Sequence, residues 1–326
     1  MARKLSYGMA INEALHQVME KDERVFVIGE DVAKMGGDFG ITQGLWAKWP
    51  NRVKDTALSE AAIVGLSCGA AVCGLKPVAE MMFADFAGVA FDQIVNNAAK
   101  LGYMFQGKTS CGLTLRMPQG AGIRCAYHHS ANVEAWFLNT PGLVIVCPST
   151  PYEAKGLLTS AIQSNNPVIF LEHKKLYNVK GEVPEEYYEL PLYKAVVERE
   201  GTDVTVVATQ TMLQMADEAA RTLEQEGISV EIVNPRTIFP YDKETLLNSV
   251  AKTSRLVLLQ EGPKVGGWAA EFSAMVTEDA FEYLSAPIKR VTSKDTPVPF
   301  APVLEDSVMP QKDDLLASCR DLVHYG

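Results

Sequence analysis

The sequence predicts an α/β protein of two domains, each built on a mainly parallel sheet flanked by helices. Three observations lead there. Short β-rich runs alternate with longer helical patterns almost throughout the 326 residues, a length that suits about two domains. The runs are apolar without polar alternation, as in strands covered by helices on both faces. A stretch at 180–201, with Gly181, Pro184, Pro191 and a cluster of glutamates, interrupts the rhythm once and divides it in two.

In the first series, strands are expected at 25–29, 77–79, 112–115, 143–146 and 168–171, with helices at about 60–74, 86–101 and 152–164. The stretch 61–75 carries no charge and is dense in Gly and Ala, which marks a helix surrounded by protein. The second series places strands at 204–208, 229–233 and 256–259 and helices at about 212–226, 242–251 and 267–283. The Pro-rich segment 296–302 reads as ordered connection. The expected division is a first domain over 1–185, a linker over 186–200 and a second domain over 201–326.

Thirty basic against forty acidic side chains give a net charge of −10, with no basic run, so nucleic acid and anionic membrane surfaces are excluded as partners on electrostatic grounds. The uncharged stretch 61–75 falls short of the roughly 20 residues that a spanning helix needs. The chain start has basic residues but no apolar core before Asn12 and Glu13, unlike a secretion signal. The six cysteines form no CxxC pair and mostly sit in apolar runs. That pattern suits reduced thiols and a cytoplasmic location better than a disulfide framework or a zinc site.

Gly102-Tyr-Met-Phe-Gln-Gly107-Lys108-Thr109 matches the phosphate-loop pattern, and a nucleotide-binding regulator is the rival reading it offers. A true phosphate loop leaves a strand and opens a helix. Here the order is reversed, and Tyr, Met and Phe stand where small residues are preferred.

Three other places carry chemistry. Glu60 follows a plausible N-cap, Ser59, at the head of the uncharged helix; it either complements the helix dipole or presents a fixed carboxylate to a ligand. Phe86 opens the next helical unit after Glu80-Met-Met-Phe83-Ala-Asp85 and reads equally as a core aromatic. His128 and His129 are adjacent in a glycine-led loop, of the kind that binds ligands at the ends of parallel strands, although such a pair can be merely solvated.

Taken together, several blocks resemble one family: Asp55-Thr-Ala-Leu-Ser-Glu60, Gly74-Leu-Lys-Pro-Val-Ala-Glu80, Phe91-Asp-Gln-Ile-Val-Asn-Asn-Ala-Ala-Lys100, His129-Ser130, Pro141-Gly-Leu143, Asn166-Pro-Val168, Val230-Glu-Ile-Val-Asn-Pro-Arg-Thr237 and Thr296-Pro-Val-Pro-Phe300. The family is the β subunit of the thiamine-diphosphate-dependent component of 2-oxo acid dehydrogenase complexes, and the resemblance runs nearly end to end. Met1-Ala-Arg-Lys, Tyr103-Met-Phe105 and Leu171-Glu-His-Lys174 are most similar to acetoin dehydrogenase β subunits, with pyruvate dehydrogenase β second. The loop between Asp31 and Thr42 is shorter than in typical acetoin enzymes.

The resemblance implies a pyrimidine-binding domain followed by a transketolase C-terminal-like domain. It implies thiamine diphosphate shared with an α subunit in an α2β2 heterotetramer, where α holds the diphosphate and Mg2+. The α-type Gly-Asp-Gly signature is absent here. It implies oxidative cleavage of acetoin or a small 2-oxo acid such as pyruvate, with transfer of the acyl unit to lipoyl-lysine on a dihydrolipoyl acyltransferase core. Glu60 matches the glutamate that hydrogen-bonds the pyrimidine N1′ and favours its imino tautomer. Phe86 matches the aromatic packed on that ring, and His129 the histidine near the reacting substituent. A structural potassium pattern matches Leu113, Ala161, Ile162 and Asn166, mostly through backbone carbonyls; Ser164 stands where an aspartate is usual.

Overall fold

The computed structural model describes residues 3–325, so Met1 and Ala2 of the block compared with acetoin enzymes lie outside the described residues. The chain forms two compact units. One runs to Gln119 and resumes over Trp136–Leu192; the other comprises Gly120–Ala135 and the chain from Tyr193 onward. The expectation from sequence was a continuous first domain to 185, whereas the loop 120–135 groups with the second unit.

In the first unit, β1 (Arg3–Ser6) leads into α1 (Tyr7–Lys21), capped by the Ser6 hydroxyl, which accepts from Met9 N. The sheet strands are β2 (Val25–Gly29), β3 (Val53–Asp55), β4 (Lys76–Glu80), β5 (Thr114–Gln119), β6 (Val144–Val146) and β7 (Val168–His173). They are hydrogen-bonded in the order β6-β7-β5-β4-β2-β3, every pair parallel, with Val78 opposite Thr114 and Thr114 opposite Val168. β4, β5 and β7 are buried along their whole length, which suits apolar stretches such as 168–171 and also places Lys76, Glu80, Arg116 and Glu172 as buried charges. Two further helices matter to the site: α2 (Glu60–Val72) and α3 (Pro151–Gln163), the latter capped by Thr150 with Pro at its first position.

The unit's core joins Ile11, Leu15 and Val18 of α1, Leu157 and Leu158 of α3, and Val27, Val78, Val146 and Phe170 of the sheet. Each such side chain contributes about 1.5–3 kcal/mol on burial. Part of the stretch 180–201 that interrupts the sequence pattern is ordered strand. β8 (Lys180–Val183) pairs antiparallel with β1, setting Arg3 opposite Val183.

In the second unit, β9 (Val196–Arg199), β10 (Val204–Ala208), β11 (Val230–Asn234), β12 (Leu256–Pro263) and β13 (Lys289–Ser293) form a sheet in the order β13-β12-β10-β11-β9. All its pairs are parallel except β9 with β11. α4 (Gln210–Glu224) and α5 (Lys312–Val323) cover one face, placing Ala216, Ala220, Leu315 and Leu322 on Val206, Ile232 and Leu259. β9 also falls in the stretch expected as linker. Its Val-Val-Glu-Arg run is too short and too mixed to stand out before its partner strand is known.

Among the described residues no helix is long and apolar enough to cross a membrane.

Candidate functional site

Acidic side chains gather where the first sheet ends. β2 stops at Gly29, whose missing side chain matters: a Cβ there would stand 2.8 Å from the Glu80 carbonyl oxygen at the end of β4. Glu30 and Asp31 follow, and Asp55, ending β3, accepts from Ala33 N at 2.7 Å. Glu60 is the first residue of α2 and is half-buried. Ser59 occupies the N-cap position, but its hydroxyl caps nothing; its backbone amide instead bonds Glu30. Glu30 is 7% exposed, and its Oε1 is buried without a hydrogen-bond partner in the described residues. Burial first, then the neighbouring Glu60, Asp31 and Asp38, raise the Glu30 pKa, while the Ser59 amide opposes. Glu60 is therefore within electrostatic reach of a second, buried carboxyl that is reluctant to ionise. Sequence reasoning missed Glu30, although its place at the end of a parallel strand was a usable signal.

α2 is not surrounded by its own chain. Ile63, Val64, Ser67, Cys68 and Ala71 are buried, whereas Ala62, Leu66, Gly69 and Cys73 turn outward as an apolar stripe. Leu66 is 56% exposed. The cover expected for this helix is therefore not supplied in full by its own chain.

The segment expected as one helix over 86–101 is broken in three. A 3-10 turn, Ala84–Gly88, carries Phe86; a wide π turn covers Gln93–Ala98; a short helix covers Leu101–Met104. The widening is visible where Ala99 N reaches back five residues to Ile94 O at 3.0 Å, beside the side-chain ladder Lys100 to Asn96 to Asp92, 2.8 Å at each step. Phe86 is half-buried and meets Phe83 edge-on at 6.0 Å; Phe83 in turn meets Phe39 at 5.9 Å.

Beneath these groups lies a buried ionic network. Arg116 on β5 donates to Glu172 on β7 and to Glu80 on β4, and the Tyr177 hydroxyl donates to Glu172 at 2.8 Å. Burial raises the Glu80 pKa although Arg116 pulls it down. For Arg116, burial works against the guanidinium charge, and the carboxylates of Glu172 and Glu80 more than offset it.

His129 belongs to the second unit, while Glu60 and Phe86 belong to the first. It ends the turn Tyr127–His129 and is half-buried; His128 is exposed and rests against Tyr127 with ring centroids 4.0 Å apart. The loop is shaped by positive φ at Gly120, Gly122, Arg124 and Ala126. Two distant carboxylates fasten it. Glu261 accepts from Ala121 N at 2.7 Å, Asn132 Nδ2 at 3.1 Å and Thr211 Oγ1 at 2.7 Å. Glu305, fully buried, accepts from Gly122 N and pairs with Arg124 at 3.1 Å. Nothing in the local sequence announces either glutamate, since both lie far along the chain.

The potassium pattern falls around the end of α3. Leu113 O accepts from Val168 N at 2.8 Å, Ala161 O accepts from Ser164 N at 3.1 Å, and Ser164 Oγ accepts from Asn166 N at 3.0 Å. Ala161 and Ile162 are in the last turn of α3, with no charged side chain among the five matched residues. In the described residues no three His, Cys, Asp or Glu side chains converge to hold a metal ion.

The phosphate-loop match does not form a phosphate cradle. Gln106 N, Gly107 N and Lys108 N are spent on the carbonyls of Tyr103, Gly102 and Phe105, so the amides that would face phosphate close turns instead.

Comparison with known proteins agrees with this architecture. Residues 3–180 match the transketolase pyrimidine binding domain and residues 193–315 the transketolase C-terminal domain. The chain is 47% identical to the acetoin:2,6-dichlorophenolindophenol oxidoreductase subunit beta of Cupriavidus necator, covering 100% of this chain and 99% of that one. It is 45% identical to the 2-oxoisovalerate dehydrogenase subunit beta of Bacillus subtilis (98% and 99% covered) and 41% identical to the pyruvate dehydrogenase E1 component subunit beta of Rickettsia felis (97% and 98%). A solved split-gene transketolase, described as an inactive beta4 tetramer, shares the fold with a TM-score of 0.80 over 98% of both chains at 22% identity.

Proposed function

The chain belongs to the family of β subunits of thiamine-diphosphate-dependent acetoin and 2-oxo acid dehydrogenases, and on that premise we propose that it supplies the pyrimidine half of a shared coenzyme site and works only with an α subunit. The observation that carries the proposal is the head of α2. There a half-buried carboxylate, Glu60, leads a helix without further charge whose outward stripe of Ala62, Leu66, Gly69 and Cys73 has no cover from its own chain. An uncovered apolar face beside an acidic site is what a subunit interface at a shared active site requires.

The residues present fit the aminopyrimidine. Glu60 offers a carboxylate to a ring nitrogen, the orphaned and buried Glu30 Oε1 is within its electrostatic reach, and Phe86 offers an aromatic face. Bound thiamine diphosphate supplies an electron sink for carbon–carbon cleavage. Glu60 hydrogen-bonds N1′ and so sets the proton state of the pyrimidine, a charge-assisted contact worth about 1.5–3 kcal/mol. Phe86 packs on the ring and excludes water from that hydrogen bond. His129, on its fastened loop, donates or accepts a proton at the substrate-derived oxygen and assists acyl transfer. The α subunit holds the diphosphate and Mg2+, in an α2β2 assembly that delivers the acyl unit to lipoyl-lysine of an acyltransferase core.

The substrate is acetoin or a small 2-oxo acid. Co-expression with its α subunit, followed by reduction of 2,6-dichlorophenolindophenol with acetoin, pyruvate and branched 2-oxo acids, tests this directly. Turnover of one of these by the pair and not by the chain alone is expected. Full activity of the β chain by itself would refute the shared site.

A further inference from the structure

α3 ends at Gln163 with no basic residue in its last turn, so its terminal carbonyls present the negative end of a helix dipole without a local cation. The cation comes from another element. Lys76, the first residue of β4 and 7% exposed, directs its ammonium at this turn. Nζ donates to Gln163 O at 3.1 Å, to Ser164 O at 2.6 Å and to Asn165 Oδ1 at 3.1 Å. Three acceptors use all three N–H donors of an ammonium group. Gly112 makes the approach feasible: a Cβ there would stand 2.9 Å from Ser164 O and 3.2 Å from Lys76 Nζ.

This arrangement does not fit the potassium ion that the resemblance implies. A weakly binding monovalent cation needs carbonyls it need not share, or an anionic ligand. Here Ser164 supplies no carboxylate, its hydroxyl accepts from Asn166 N, and its carbonyl already holds an ammonium. Leu113 O and Ala161 O are engaged by backbone amides. Two cations sharing the Ser164 carbonyl would repel one another at close range in a half-desolvated setting.

We infer that the Lys76 ammonium is the built-in cation of this helix terminus and that the chain takes no potassium ion there. The tether keeps this cation at the turn whatever the surrounding salt. The inference stands on this turn alone and is independent of the coenzyme assignment.

The test uses the full chain in the assembly in which it purifies. After dialysis into potassium-free choline chloride, elemental analysis is expected to find no potassium retained with the protein. The Tm is expected to be the same in potassium chloride and choline chloride at equal ionic strength. Lys76→Met is expected to lower the Tm by at least about 2 °C in choline chloride, because three acceptors lose their donor. Stoichiometric potassium retention by the wild type, or a saturable rise in its Tm with potassium, would overturn the inference, and neither measurement depends on the variant folding. An unchanged Tm for Lys76→Met would overturn it as well.

Discussion

Arg116 grips the carboxylate of Glu172 with two parallel hydrogen bonds, Nε to Oε1 at 2.6 Å and Nη2 to Oε2 at 2.9 Å, where neither side chain is more than 1% exposed. The same guanidinium also reaches Glu80, so one cation holds three neighbouring parallel strands, β4, β5 and β7, in side-chain register. Removing it strands two buried carboxylates. Arg116→Met is expected to destabilise the chain by about 3–5 kcal/mol, read from the shift in denaturant midpoint. Retained wild-type stability would mean that the carboxylates take up protons without loss.

Glu30 gives the stability a pH dependence of defined sign. Its folded pKa lies above the ordinary glutamate value of 4.5, so between the two values the folded chain binds the extra proton. Stability from this group is present at low pH and lost as pH rises through the folded pKa. Glu80 is raised as well and acts in the same direction. Comparison of wild type with Glu30→Gln isolates the first: the variant is expected to lose less Tm than the wild type as pH rises above the ordinary glutamate value. Identical slopes would remove Glu30 from the account.

Glu60→Gln keeps the size of the side chain and removes its charge. The variant is expected to assemble normally and to lose about ten- to a hundredfold in turnover, the kinetic equivalent of one charge-assisted hydrogen bond. Because Glu60 helps to raise the Glu30 pKa, the same substitution should move the Glu30 titration downward. Wild-type turnover in the reconstituted variant would end the proposed role for Glu60.

Leu66 stands in the uncovered stripe of α2. Leu66→Asp is expected to change the stability of the isolated chain by no more than about 0.5 kcal/mol, as surface substitutions do, while blocking co-purification with the α subunit. An intact complex carrying aspartate at this position would place the interface elsewhere.

Much of the first unit was legible in the sequence because doubly covered strands leave a plain trace. Runs such as 25–29 and 168–171 stand out by apolarity alone, and the structure carries strands there. β1, β8 and β9 were not legible. Each is only four residues long and gains its identity from a partner strand. The helix expected over 86–101 failed for a different reason: its periodicity is helical, but the backbone changes pitch twice, and hydrogen-bond pitch leaves little signal in residue type.

By itself the sequence determined the class of fold and the net charge, and it offered Glu60, Phe86 and His129 as candidates. The first two follow from residue type and short spacing, which the chain carries without folding, while the roles of the three candidates are what the family resemblance implies. Only the tertiary structure decided which charges meet. Glu30 comes within electrostatic reach of Glu60, Arg116 lies between Glu80 and Glu172, Glu261 and Glu305 on the amides of the His129 loop, and Lys76 on the end of α3. Such pairings join positions tens to hundreds of residues apart. Their energies arise from burial and from the direction of hydrogen bonds, neither of which exists until the strands are laid side by side.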